Sequence, residues 1–199
     1  MFSLLEGLWH YLFDKPNLHV LVIGLDHAGK SSLLERIKTL YNTTPGLSME
    51  KITPTIGMNL AKLNHMGAQV IIWDLGGQAK MRSIWEKYYA EANAVIYVVD
   101  AADRGRLSEA KMAYDAACDN NSLATTKVPV FTFANKQDVA GALSTSDLAA
   151  NFNPTFASSK PEGPKRIFGV SAASGEGIDH ALHAVIVEAK LHKASAARF

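Results

Sequence analysis

Apolar residues along the chain follow two rhythms. Near-continuous runs, LHVLVIG, AQVIIWD, NAVIYVVD, VPVFTFA and KRIFGVSA, read as strands buried on both faces. Between them, residues 30–40, 83–91, 105–118, 144–151 and 177–192 carry apolar positions at the three- and four-residue intervals of an amphipathic helix. Strand alternating with helix predicts βαβ units, right-handed crossovers and a mostly parallel sheet. NLAKLNH breaks the alternation, because only MGA separates it from QVIIWD; the two form a hairpin and put one antiparallel strand at the edge. The expected fold is α/β, with six strands and helices on both faces. Residues 42–54 and 153–165 read as loops from their Pro, Gly, Ser and Thr content, and no internal repeat or dividing linker interrupts the chain.

The opening segment, FSLLEGLWHYLF, has a different character. Wound as a helix, Ser3, Glu6, Gly7, His10 and Asp14 gather on roughly a third of the circumference, and Phe2, Leu4, Leu5, Leu8, Trp9, Tyr11, Leu12 and Phe13 take the rest. The organisation expected is therefore an amphipathic helix over residues 1–15, a globular unit over 16–193 and a tail over 194–199. The helix is too short and too amphipathic to span a bilayer, and it lacks the basic start and cleavage site of a signal peptide. No Gly follows the first Met and AARF is not a prenylation box, so no lipid anchor is expected. Its eight large apolar side chains are worth on the order of 10 kcal/mol at most when buried. Two readings stay open: a helix permanently docked on the body, or one released to a membrane surface. The polar face has no Lys or Arg, so a protein receptor is expected to assist membrane binding.

Composition narrows the classes. Twenty Lys and Arg against nineteen Asp and Glu leave a net charge of +1, which offers nothing to a nucleic-acid partner. The single cysteine, Cys118, has no internal disulfide partner and no metal-binding spacing around it. The histidines likewise lack ligand spacing, and packing accounts for them better than metal binding.

The chemistry sits at the ends of the strand runs. GLDHAGKS at 24–31 has the form G-x-x-x-x-G-K-[ST], directly after a buried strand and opening a helix. Successive backbone N–H groups of such a loop, with the helix N-terminus behind them, surround phosphates. Gly24 and Gly29 permit the tight path, Lys30 reaches the β- and γ-phosphate oxygens, and the Ser31 hydroxyl is a Mg²⁺ ligand. NKQD at 135–138 follows another strand at the end where ligands bind an open α/β sheet. The Asp138 carboxylate accepts hydrogen bonds from guanine N1–H and the exocyclic amine, donors that adenine lacks, so GTP is favoured over ATP. Asn135 is expected on the other edge of the base and the Lys136 stem on its face. Ser171, Ala172 and Ala173 complete the pocket, with the Ala172 N–H toward guanine O6.

WDLGGQ at 73–78 supplies Asp74 for Mg²⁺, the Gly77 N–H for the γ-phosphate and Gln78 to orient the attacking water. Thr55, in TPTIG, is either a solvated turn residue or a second Mg²⁺ ligand present only with GTP. Trp85, Tyr88 and Tyr89 fall at helical spacing, partly core and partly surface, and Asp100, Asp103 and Arg104 read as a helix-entry loop.

GLDHAGKS, PTIG, WDLGGQ, NKQD and SAASGEG together resemble the ADP-ribosylation-factor (Arf) family of small GTPases over nearly the whole chain. KITPTIGMN, the segment from WDLGGQ to YVVD, and MFSLLEGLWHYLF most resemble an unmyristoylated, trans-Golgi branch of that family. The resemblance implies the P-loop small G-protein fold. It also implies GTP or GDP with Mg²⁺ in a site that takes in Asp26, His27, Ala28, Gly29, Lys30, Ser31 and Ser32. Regulation by an exchange factor and a GTPase-activating protein follows, with effectors on a surface built from Met58, Trp73 and Tyr88. So do recruitment of another Arf-like GTPase and tethering proteins, a Golgi membrane receptor, an acetylated N-terminus, a monomer, and residence between cytoplasm and Golgi membrane. The chain departs from the family at His27, where Asn is usual, at Ser31 and Ser32 in place of two threonines, and at Met58 in place of an aromatic. Its 153–165 loop is longer than typical.

Between Ser31 and Thr55 the only arginine is Arg36, buried in the helix pattern, so no arginine finger is expected in cis and hydrolysis should be slow. A two-residue slip of the hairpin keeps its side chains on the same faces, and the resemblance implies such a slip on GTP loading, with expulsion of the N-terminal helix. The rival reading is a GTP-binding scaffold that recruits partners without hydrolysis; retention of Gln78 speaks against it.

Overall fold

The computed structural model describes residues 15–42, 47–150, 152 and 166–196. The expected N-terminal helix, Lys15 apart, and the 153–165 loop lie outside them. In chain order the elements are β1 (Asn17–Ile23), α1 (Lys30–Tyr41), β2 (Met58–His65), β3 (Ala68–Leu75), α2 (Glu86–Tyr89) and β4 (Ala94–Asp100). There follow α3 (Leu107–Cys118), α4 (Asn121–Thr126), β5 (Val130–Asn135), α5 (Thr145–Ala149), β6 (Ile167–Gly169) and α6 (Ile178–Ala196). The six strands form one sheet in the order β2-β3-β1-β4-β5-β6, antiparallel only between β2 and β3. This is the α/β sheet that the hydrophobic runs predict.

Alternation along β1 explains why the sheet is covered on both sides. Leu18, Val20 and Val22 pack with Leu33, Leu34 and Ile37 of α1 and Leu182, Val185 and Ile186 of α6. Leu21 and Ile23 point the other way, into a second core with Trp85, Tyr97, Tyr114 and Phe152. Both faces are apolar, so the strand has no solvated side and reads as a continuous hydrophobic run. Parallel pairing then brings the carboxyl ends of β1, β3, β4 and β5 to one edge, with Val22 opposite Asp74 and Asp100 opposite Asn135. The hairpin closes through Met66 and Gly67 at φ 51° and 70°, a two-residue turn whose positive φ values suit the strand twist.

Several elements differ from the sequence expectation. The helix expected over 83–91 is a 3₁₀ segment, Ala79–Ile84, followed by the four residues of α2. Apolar spacing does not separate turns closed at three residues from turns closed at four, and here the tighter winding carries Arg82 and Trp85 back over the Gly76–Gly77 pair. Helix α4 was not expected; its signal is Asn120, whose side chain accepts from the Ser122 N–H as an N-cap. Strand β6 is only three residues long, and α6 continues through Ala196 into the segment expected as a tail. A single 3₁₀ turn, Met49–Lys51, lies in the loop expected over 42–54.

Candidate nucleotide site

The strand-end loops enclose a cleft of about 330 Å³ lined by Asp26, His27, Gly29, Lys30, Ser31, Ser32, Ile52–Thr55, Gly77, Gln78 and Lys136. Gly29 turns the chain into α1 at φ 89°, and a Cβ there would stand 2.3 Å from Asn135 Nδ2. Glycine is required on both counts. His27 also has a left-handed backbone, φ 63°, and a side chain 75% exposed. The strain falls where Asn or His is tolerated better than most residues, so the departure from Asn keeps the loop's path.

Lys30 is buried, and its Nζ donates to the Leu25 carbonyl at 2.7 Å, across the mouth of its own loop. Burial pulls its pKa down to about 8, against the opposing pull of Asp74 and Asp26. Beside it, three residues from three separate segments converge. Ser31 Oγ donates to Asp74 Oδ2 at 2.6 Å, Thr55 Oγ1 reaches the same oxygen at 3.1 Å, and the two hydroxyls lie 2.7 Å apart. Asp74 is fully buried, which raises its pKa despite these hydrogen bonds, and its Oδ1 has no partner. Thr55 is thus gathered at the site and is not a solvated turn residue.

The donor set fits magnesium. It consists of hard oxygens, one carboxylate and two hydroxyls, with an orphaned carboxylate oxygen among them. Among the described residues no cluster of three or more His, Cys, Asp or Glu side chains stands ready to hold a metal.

Gly77 packs directly against the phosphate loop; a Cβ would lie 2.4 Å from the Asp26 nitrogen, the Gly24 carbonyl oxygen and the Leu25 carbonyl carbon. Gln78 follows it at the rim, exposed. An ionic chain missed by sequence reasoning braces this region. Arg82 donates to the Gly77 carbonyl at 3.1 Å and pairs with Glu109 at 2.5 Å. Arg106 pairs with the other Glu109 oxygen at 3.0 Å and donates to both the carbonyl and the carboxylate of Asp26. The Arg106 guanidinium holds the Asp26 carboxyl below its usual range against the effect of burial.

At the other end of the cleft the Asn135 side chain joins two loops. Its amide donates to the Ala28 carbonyl at 2.9 Å and accepts from the Ala172 N–H at 3.0 Å, stitching the phosphate loop to the SAA loop. Ser171 donates to Asp138 at 2.5 Å, and Lys136 Nζ pairs with Asp100 at 2.5 Å, which lays its stem along the cleft. Ala173 is tied in through its carbonyl, by Arg36. Arg36 is half-buried, not buried as the helix pattern suggested, and its guanidinium serves the carbonyls of Ala172 and Ala173. Of the expected effector surface, Met58 is 41% exposed and Tyr88 is half-buried, but Trp73 is only 7% exposed. It packs between His19 and Tyr88 and supports that surface more than it presents it.

The sequence pattern of the ADP-ribosylation factor family matches residues 4–189. ADP-ribosylation factor-related protein 1 of Homo sapiens is 44% identical over 154 residues, which cover 77% of this chain and 76% of that protein. ADP-ribosylation factor-like protein 3 of Saccharomyces cerevisiae is 34% identical over 196 residues, 98% of this chain and 97% of its own length. Among solved structures, the Arl6 BBS3 small GTPase from Trypanosoma brucei with bound nucleotide analogue GppNp superposes with a TM-score of 0.74 at 28% identity. That match covers 88% of this chain and 99% of the other. The chain therefore belongs to the ADP-ribosylation factor family, small GTPases that bind and hydrolyse GTP.

Proposed function

We propose that this GTPase is a magnesium-dependent switch of Golgi vesicle traffic that associates with membranes in its GTP state. The observation that carries the reading is the meeting of Ser31, Thr55 and Asp74 around one unpartnered carboxylate oxygen. Asp74 lies near the end of the strand that leads into Gly77 and Gln78, and Thr55 leads into the hairpin, so this point adjoins both segments. Ser31, Thr55 and Asp74 would hold magnesium, which when bound would neutralise phosphate charge. Lys30 exchanges its contact with Leu25 for those oxygens, the Gly77 N–H faces the γ-phosphate, and the Gln78 amide orients water for in-line attack.

Three arginines near the cleft are committed elsewhere: Arg36 to Ala172 and Ala173, Arg82 to Gly77 and Glu109, Arg106 to Asp26 and Glu109. Unaided turnover on the order of 10⁻⁴ per second or slower is expected, with an activating protein supplying the missing cation. Membrane association is assigned to the amphipathic segment at residues 2–13, and partner recognition to the exposed Met58 with the Trp73–Tyr88 pair beneath it. An exchange factor and a Golgi receptor complete the cycle.

Single-turnover hydrolysis by wild type and Gln78→Leu tests the chemistry, with about a hundredfold loss expected and GDP affinity unchanged. Liposome flotation of GDP- and GTP-loaded protein, with and without residues 2–13, tests the membrane step; equal flotation of both nucleotide forms would refute it.

A further inference from the structure

Arg36 stands on the same helix as the phosphate loop, yet its guanidinium turns toward the base end of the cleft. Its Nε donates to the Ala172 carbonyl at 2.9 Å and its Nη2 to the Ala173 carbonyl. The stem runs beside Gly175, where a Cβ would lie 3.5 Å from Arg36 Cδ. Meanwhile the Ala172 N–H is held by Asn135 Oδ1 at 3.0 Å. Ala172 is therefore gripped on both of its peptide units, from the base-side strand through Asn135 and from the phosphate-side helix through Arg36.

Peptide groups are planar and trans, so the direction of a carbonyl fixes that of the N–H in the same unit. Pulling the Ala172 carbonyl onto α1 turns the Ala173 N–H away from Arg36. A guanidinium is suited to this task because its planar fork offers two donors at fixed separation to two successive carbonyls. A lysine ammonium, a single point donor on a flexible stem, cannot hold both with the same geometry.

We propose that Arg36 is a positioning residue for guanine recognition: by holding the Ala172 and Ala173 carbonyls it sets the orientation in which the Ala173 N–H is presented to O6 of the base, while the Ala172 N–H stays with Asn135. This rests on guanine nucleotide occupying the cleft. It also assigns an internal task to the one arginine between Ser31 and Thr55.

The experiment compares release of GDP and of 6-thio-GDP from wild type, Arg36→Ala and Arg36→Lys, measured by chase with excess unlabelled GTP. The thio analogue keeps N1–H and the exocyclic amine for Asp138 but replaces O6 with sulfur, a weak acceptor. Arg36→Ala is expected to release GDP about tenfold faster and 6-thio-GDP no more than about twofold faster, with Arg36→Lys in between for GDP. A general loosening of the fold would accelerate both nucleotides alike, and that result, or acceleration of neither, overturns the proposal. Should Arg36→Ala fail to fold, Arg36→Lys carries the same comparison. Wild type that shows no preference for GDP over ADP would overturn the nucleotide reading itself, an outcome distinct from a normal wild type with insensitive variants.

Discussion

The two walls of the cleft are built on opposite terms. At the base end, Asn135, Ser171 and Ala172 are at most 5% exposed, with Asn135 hydrogen-bonded to Ala28 and Ala172 and Ser171 to Asp138. At the switch end, Ile56 is 81% exposed and Met58 41%, and the loop reaches the site through the Thr55 hydroxyl. Helix α1 serves both from consecutive residues about 100° apart. Arg36 ties the SAA loop, while the buried carboxylate of Glu35 takes the Leu47 N–H at 2.8 Å on the other side. One wall is already tied together by its own hydrogen bonds. The other depends on a point contact, so its free energy is available for a third phosphate to decide.

Breaking the preformed wall should produce the largest effect and no preference between nucleotides. Asn135→Ala leaves the Ala28 carbonyl and the Ala172 N–H buried without partners, a loss of about 2–4 kcal/mol. Dissociation of GDP and of a GTP analogue should accelerate alike, by about a hundredfold or more, as read by fluorescent-nucleotide chase. A variant that released only one of them faster would show that the base wall also responds to the switch.

Breaking the conditional wall should cost less and discriminate. Thr55→Ala removes one hydroxyl from the Asp74 cluster, and about tenfold of the GTP-over-GDP affinity ratio should go with it while GDP affinity stays put. Titration calorimetry with both nucleotides reads this ratio directly. Unchanged affinity for the GTP analogue would mean that Thr55 is held at the cluster by the protein alone.

Legibility in the sequence follows the same division. The central strands could be read because both faces are apolar, as in β1, and GLDHAGKS and NKQD because a phosphate cradle and a base loop are contiguous segments. The roles of Arg36, Arg82 and Arg106 could not, since each donates to a backbone carbonyl, and any residue at the acceptor position would have served. No residue pattern marks such a partner. Trp73 differs for a related reason: the family resemblance implied a surface position, while its burial depends on His19 and Tyr88 from two other elements. The 3₁₀ winding after Gly77 was hidden because its cause is the return of Trp85 and Arg82 to the carbonyls of Gly76 and Gly77.

The smallest effect concerns the group between the walls. Burial lowers the Lys30 pKa to about 8, and its ammonium is satisfied by the Leu25 carbonyl, a neutral acceptor. Phosphate oxygens placed beside it favour the charged form and raise that pKa again. Well below pH 8, at pH 7 and under, the amine is protonated with or without nucleotide, so affinity should be flat. Above pH 8 the free protein has lost a proton that the complex retains, so binding must take one up and affinity falls with rising pH. A free-state pKa of about 8 sets the loss at about fivefold between pH 8 and 9. Calorimetry at pH 9 in two buffers of different ionisation heat should give apparent enthalpies that differ by close to one proton's worth, and at pH 7 by none. Lys30→Gln removes the proton uptake whatever it does to affinity. Uptake that persists in that variant would assign the proton to the phosphates or to another group, and with it would go the view of Lys30 as a charge held in reserve by its own loop.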